Sequence, residues 1–129
     1  MATPSTRKPT SSELEILHVL WERGPSTVRE VHEALNAKRP IGYTSVLKLM
    51  QIMTAKGTVR RNVQQRAHVY EAVQAEEKTK QQLARDVLQR VFDGSASELM
   101  MHALAGRKAS QEEIEEMRRL LNEHERKIR

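Results

Sequence analysis

The chain has 129 residues, with 22 Lys and Arg against 17 Asp and Glu, no Cys, one Phe, one Trp and two Tyr. That length holds one medium domain or two small ones and excludes a large multidomain enzyme, while the missing cysteines exclude disulfides, thiolate metal sites and thiol redox sensing. With 38% hydrophobic and 30% charged residues, a core of Leu, Val, Ile, Met and Ala under charged helix surfaces is expected, in a soluble, cytoplasmic protein with no apolar run suited to membrane insertion and no secretory leader.

Residues 1–10, rich in Thr, Pro and Ser, have no periodicity and are expected to be a disordered arm. Ser12 and Glu15 fit a capping box that opens a first helix carrying Leu14, Leu17, Leu20 and Trp21, closed by Gly24-Pro25. Ser26 is placed to cap a second helix with Val28, Val31 and Leu35, which breaks up between Asn36 and Pro40. A third helical pattern runs from Ile41 to Lys56 and stops at Gly57; Val46, Leu49, Met50 and Met53 form its apolar face, with Thr44, Leu47, Lys48, Gln51 and Ala55 on the opposite side. Thr58 to Val63 and His68 to Val73 read as two short strands joined through Gln64-Gln65-Arg66-Ala67.

From Ala75 the pattern is again helical. Leu83, Val87, Leu88, Val91 and Phe92 form a stripe ending at Asp93-Gly94. Ser95 or Ser97 can start a fifth helix with Leu99, Met100, Ala103 and Leu104, and Ser110 with Glu113 forms a second capping box before Ile114, Met117, Leu120 and Leu121. The expected order is three helices, a hairpin and three helices: a mainly α chain with a winged helix-turn-helix over residues 11–74 and a helical domain over 75–129.

Charge is unevenly divided. Residues 1–74 hold 11 basic and 6 acidic side chains, whereas residues 75–129 hold 11 of each. No acidic residue lies between Glu33 and Glu71, a stretch that contains Lys38, Arg39, Lys48, Lys56, Arg60, Arg61 and Arg66. A basic surface of this kind suits phosphates, and three helices followed by a hairpin is the order in which a third helix enters the major groove beside a wing. Lys48 would read guanine, Gln51 adenine, and Thr44 or Leu47 a thymine methyl, while Lys56, Arg60, Arg61 and Arg66 would grip the backbone. A plain solvated helix face is the bland alternative.

About 55 residues in the second half bury too little surface to stand easily alone. The stripes Leu83, Val87, Val91, Phe92, Leu99 and Ile114, Met117, Leu121 therefore suggest a homodimer, which also matches a palindromic DNA site. An enzyme is disfavoured, because His18, His32, His68, His102 and His124 show no metalloprotease spacing and Gly94-Ser95 lacks the flanks of a nucleophile elbow. Neither metal nor cofactor is expected. The rival readings are a regulator that binds a small ligand between its domains and a helical protein-interaction adaptor without DNA affinity.

Several segments carry a family resemblance: Leu14-Glu15-Ile16-Leu17 with Leu20-Trp21, Tyr43-Thr44-Ser45-Val46-Leu47 running to Lys56-Gly57, His68-Val69-Tyr70, Val91-Phe92-Asp93-Gly94-Ser95 and Glu113-Ile114-Glu115-Glu116. In order and spacing over residues 11–125 the chain resembles the penicillinase repressor (BlaI/MecI) family. The resemblance implies a winged-helix domain, a helical dimerisation domain, and a repressor dimer on a dyad operator, with Tyr43 and Ser45 joining the backbone contacts. It also implies relief of repression by an inducible signal such as proteolysis, with a membrane sensor protease as partner. In antibiotic-resistance members the cut falls at an Asn-Phe bond, which ungapped alignment from Gly94 to Glu113 places at His102-Ala103; both residue types differ here. Ile52 stands where members often carry a basic residue, and the Cys-rich site of copper-responsive relatives is missing.

Overall fold

A computed structural model of the chain describes residues 8–63 and 66–129. Most of the expected arm, residues 1–7, and Gln64-Gln65 of the expected hairpin turn lie outside the described residues. The elements are α1 (Ser11–Arg23), α2 (Val28–Asn36), α3 (Tyr43–Lys56), β1 (Val59–Asn62), β2 (Val69–Ala72), α4 (Glu76–Phe92), α5 (Ala96–Ala105) and α6 (Gln111–Lys127). This is the mainly helical order with one antiparallel hairpin that the sequence suggested. The chain divides into two compact units, Met1–Leu83 and Ala84–Arg129. The change in charge balance near residue 75 thus falls inside the first unit, just before α4 begins.

In the first unit Ile16, Leu17, Val19 and Leu20 of α1, Val28, Val31 and Leu35 of α2, and Val46, Met50 and Met53 of α3 close on one another, with Val59 and Tyr70 from the hairpin. Ile16, Val31, Val46, Met50 and Met53 are completely buried. At roughly 1.5–3 kcal/mol for each buried aliphatic side chain, this cluster is what holds three short helices that would be marginal in isolation.

The helix starts differ by one or two residues from the capping expectations. Thr10, not Ser12, caps α1: its side chain accepts from the Glu13 N–H at 3.2 Å and the Glu13 carboxylate accepts from the Thr10 N–H at 3.0 Å. Thr10 is therefore part of the helix signal and does not belong to an arm. Thr27, not Ser26, caps α2 in the same reciprocal way with Glu30, at 3.1 and 2.9 Å. Ser26 is displaced from that role because its backbone pairs with β2, the Ser26 N–H donating to the Tyr70 carbonyl at 2.9 Å and the Tyr70 N–H to the Ser26 carbonyl at 2.8 Å. α3 begins at Tyr43, later than Ile41, with Gly42 at its N-cap and no side chain capping it. Gly57 ends it in the left-handed conformation, φ 84°, which a residue with a Cβ adopts only at a cost.

The strands pair Val59 with Ala72, Arg60 with Glu71, Arg61 with Tyr70 and Asn62 with Val69. In the second unit, α4 ends at Asp93 (φ 48°) and Gly94 (φ 85°), two successive left-handed residues. Ser95 caps α5 through the Glu98 N–H at 3.2 Å, and Ser110 caps α6 through the Glu113 N–H at 3.1 Å. The second capping box is only half formed, because the Glu113 carboxylate pairs with Arg107 instead of reaching back. Neither α5 nor α6 contains a buried residue.

Candidate nucleic-acid interface

Helical periodicity fixes the outer face of α3. With Val46, Met50 and Met53 turned into the core, Thr44, Lys48 and Gln51 follow one another at spacings of four and three residues and are all exposed. Ser45 is also exposed. Leu47 is half-buried and packs against the core. It lines a groove of about 510 Å³ with Thr27, Val28 and Arg29 of the α2 entrance, Tyr43, and Arg66, Ala67, His68 and Tyr70 of the hairpin. Tyr43 is 46% exposed, and its ring stands edge-on to that of His32 with centroids 5.8 Å apart. The His32 Nε2–H donates to the Ile41 carbonyl at 2.8 Å, tying α2 to the approach of α3.

The expected basic residues fall into distinct settings. Lys48, Arg61 and Arg66 are exposed. Arg60 is exposed as well but lies opposite Glu71 on the neighbouring strand, its Nη2 2.7 Å and its Nε 2.8 Å from the carboxylate. Alternation along β1 puts Arg60 and Arg61 on opposite faces of the hairpin. Lys56 turns inward. Its ammonium donates to both oxygens of Glu13 at 2.8 and 3.0 Å, with the lysine side chain 18% and the glutamate 3% exposed. The structure therefore brings Thr44, Lys48 and Gln51 together, with Tyr43, Leu47 and Arg66 around the groove beside them, and leaves Lys56 as a tie between the end of α3 and the start of α1.

Thr27, Arg29 and His68 join this surface although the sequence reading passed over them. Arg29 had a usable signal, being the polar position between the buried Val28 and Val31. His68 had none, since its place beside α3 depends on how the hairpin folds back. Arg39 and Glu15 form a further ion pair: Arg39 donates to Glu15 at 2.6 and 3.3 Å, and this hydrogen bond, helped by the guanidinium charge, holds the Glu15 carboxyl below its ordinary value. Glu30 is also held low, first by the Thr27 backbone N–H it accepts at the α2 cap. Among the described residues no group of three or more His, Asp or Glu is arranged to hold a metal ion, and no helix is long and apolar enough to cross a membrane.

Three packed helices, a hairpin wing, and an exposed polar and basic stripe on the third helix define a winged-helix regulator of the DNA-binding class. The family model described as penicillinase repressor matches residues 9–123, and the chain belongs to that family. The transcriptional regulator BlaI of Mycobacterium tuberculosis is 34% identical over 115 residues, covering 88% of this chain and 82% of that protein. The methicillin resistance regulatory protein MecI of Mammaliicoccus sciuri is 22% identical over 113 residues, covering 88% and 92%. The penicillinase repressor of Bacillus licheniformis is 23% identical over 115 residues, covering 89% and 90%. Membership places the chain among transcriptional regulators and not among enzymes.

Proposed function

We propose that the protein is a transcriptional repressor that binds a palindromic DNA operator as a homodimer. The observation that carries this reading is the exposed Thr44, Lys48, Gln51 stripe on the third helix of a winged-helix unit, flanked by the basic hairpin. Lys48 and Gln51 have the donor and acceptor chemistry for guanine and adenine edges, and Thr44 and Leu47 the methyl groups for thymine. Tyr43, Ser45, Arg60, Arg61 and Arg66 supply backbone contacts, joined by Arg29 and His68 in the groove. Lys56 contributes through its grip on Glu13, which sets the pose of α3.

The 11–74 segment is the DNA-binding part and 75–129 the dimerising part. Support for the second assignment comes from its unpartnered apolar side chains: Val87, Val91, Met100, Met101, Leu104, Leu120 and Leu121 are all at least 37% exposed. Met100, Met117, Leu120 and Leu121 line a groove of about 400 Å³ with Glu123, His124 and Lys127. A second copy of the chain would cover the stripes that include Leu83, Phe92, Leu99 and Ile114. Release follows from the same weakness. A membrane sensor protease cutting within residues 97–108, at or near His102-Ala103, would detach α6 and with it part of the dimerising surface. Mass spectrometry of the protein from induced cells identifies such fragments, and an intact chain throughout derepression rules this route out.

Gel-shift titration on the promoter region beside the chain's own gene, against random DNA, tests the main reading. Affinity for the promoter should exceed that for random DNA and fall on the order of tenfold or more between low and physiological salt. Equal affinity for both DNAs at every salt concentration overturns it.

A further inference from the structure

The core-facing side of α3 is made by Val46, Met50 and Met53, with Leu47 and Leu49 half-buried beside them. Two large apolar side chains of this helix stay outside, Tyr43 and Ile52. Tyr43 has the His32 ring against its own. Ile52 is 39% exposed and takes no part in the core cluster. A lone apolar residue on a surface needs no explanation in general; what matters here is its place. Thr44, Lys48 and Ile52 follow one another at intervals of four residues, which puts them in one row along the helix, with Gln51 exposed beside it. The next position in the row, Lys56, is drawn to the Glu13 carboxylate at 2.8 Å. The outward part of the row therefore ends on Ile52.

Four residues of helix rise about 6 Å, a little under two base-pair steps of 3.4 Å. With α3 lying along the major groove and Lys48 over a base edge, Ile52 meets an edge about two pairs further on. Its side chain neither donates nor accepts a hydrogen bond, and the apolar group that a base presents in that groove is the C5-methyl of thymine. Over guanine, adenine or cytosine the same side chain displaces water from polar edge atoms without replacing their hydrogen bonds. Branching at Cβ leaves isoleucine few rotamers to lose on contact, so the ordering cost is low. We propose that Ile52 is a specificity-determining residue that selects a thymine in each half-site by its methyl group. The proposal rests on the DNA-binding reading above and involves the winged-helix unit alone.

The test uses full-length wild type, Ile52→Ala and Ile52→Val, with melting curves to confirm that the variants fold. A duplex selected by the wild type from a randomised library is remade with one thymine at a time replaced by uracil, which pairs identically and lacks only the methyl. At one position of the half-site the wild type should bind the uracil duplex about fourfold more weakly, the worth of one buried methyl group. Ile52→Ala should bind the thymine and uracil duplexes equally at that position, while keeping its losses at every other methyl-sensitive thymine. Ile52→Val, which keeps the branch, should retain about twofold discrimination there. A wild type with no methyl-sensitive thymine overturns the proposal, as does an Ile52→Ala variant that keeps every sensitivity or weakens the thymine and uracil duplexes by the same factor. A wild type that selects no sequence from the library overturns the DNA-reading function itself, and the proposal with it.

Discussion

Lys48 and Gln51 stand one turn apart on the same exposed stripe, yet each offers a different readout. If they meet base edges, Lys48→Ala or Gln51→Ala costs about 1–3 kcal/mol and relaxes preference at one base pair, whereas Arg61→Ala weakens all sequences alike and flattens the salt slope. Binding titrations on single-base operator variants separate the two patterns. Lys56 behaves otherwise. Replacing it by Met strands the Glu13 carboxylate, 3% exposed, without its cation, and breaking a pair of this kind costs about 3 kcal/mol in chemical denaturation while leaving the salt slope of DNA binding unchanged. Glu15 supplies a pH signature. Its carboxyl is held low by the hydrogen bond from Arg39, so the stabilisation is present above the ordinary glutamate range and is lost as pH falls through the lowered value. Both partners are largely exposed, so the effect on stability is small. An NMR titration should place the Glu15 midpoint below the ordinary 4.5, and Arg39→Ala should move it upward.

At the level of elements, Thr27→Ala should cost about 1 kcal/mol of thermal or chemical stability, because it removes the acceptor for the Glu30 N–H, whereas Ser95→Ala on the exposed α5 start should cost no more than that. The number, type and order of the helices were legible in the sequence because the apolar spacing and the glycine stops are local signals. Cap identity was less so. Thr10, Ser11 and Ser12 are chemically near-equivalent candidates, and only the reach of Glu13 back to the Thr10 N–H separates them. Ser26 looked like a cap for the same reason, but it pairs with Tyr70, forty-four positions further along the chain, a partnership that no local pattern encodes. The exposure of Thr44, Lys48 and Gln51 on one face of α3 was readable from periodicity alone. The inward turn of Lys56 was not, since a lysine on a basic stretch gives no sign that a buried carboxylate lies at the far end of another helix. Leu47 shows the same limit: its place in the helical repeat put it with Thr44 and Lys48, while its packing against the core depends on α2 and the hairpin.

On the scale of the whole chain, the two units differ in how they hold together. The first closes a core around Ile16, Val31 and Met50, all completely buried; α5 and α6 bury none of their own residues. If the second unit forms the dimer, Leu121→Glu, which places a charge in the groove beside Leu120 and Met117, should shift the protein toward monomer in sedimentation, with winged-helix folding intact. Operator affinity should fall on the order of a hundredfold as the linkage between half-sites is lost. The length and stripes of the second half suggest a partner but do not say which faces would meet it, because the same Leu and Met spacing serves an internal core and an interface equally.

The bare faces of α5 and α6 also bear on dosage. Where most of the chain is monomer, the amount of a two-copy species rises with the square of the total, so halving synthesis lowers it about fourfold. On the dimeric reading proposed above, a modest change in supply thereby becomes a steeper change in promoter occupancy.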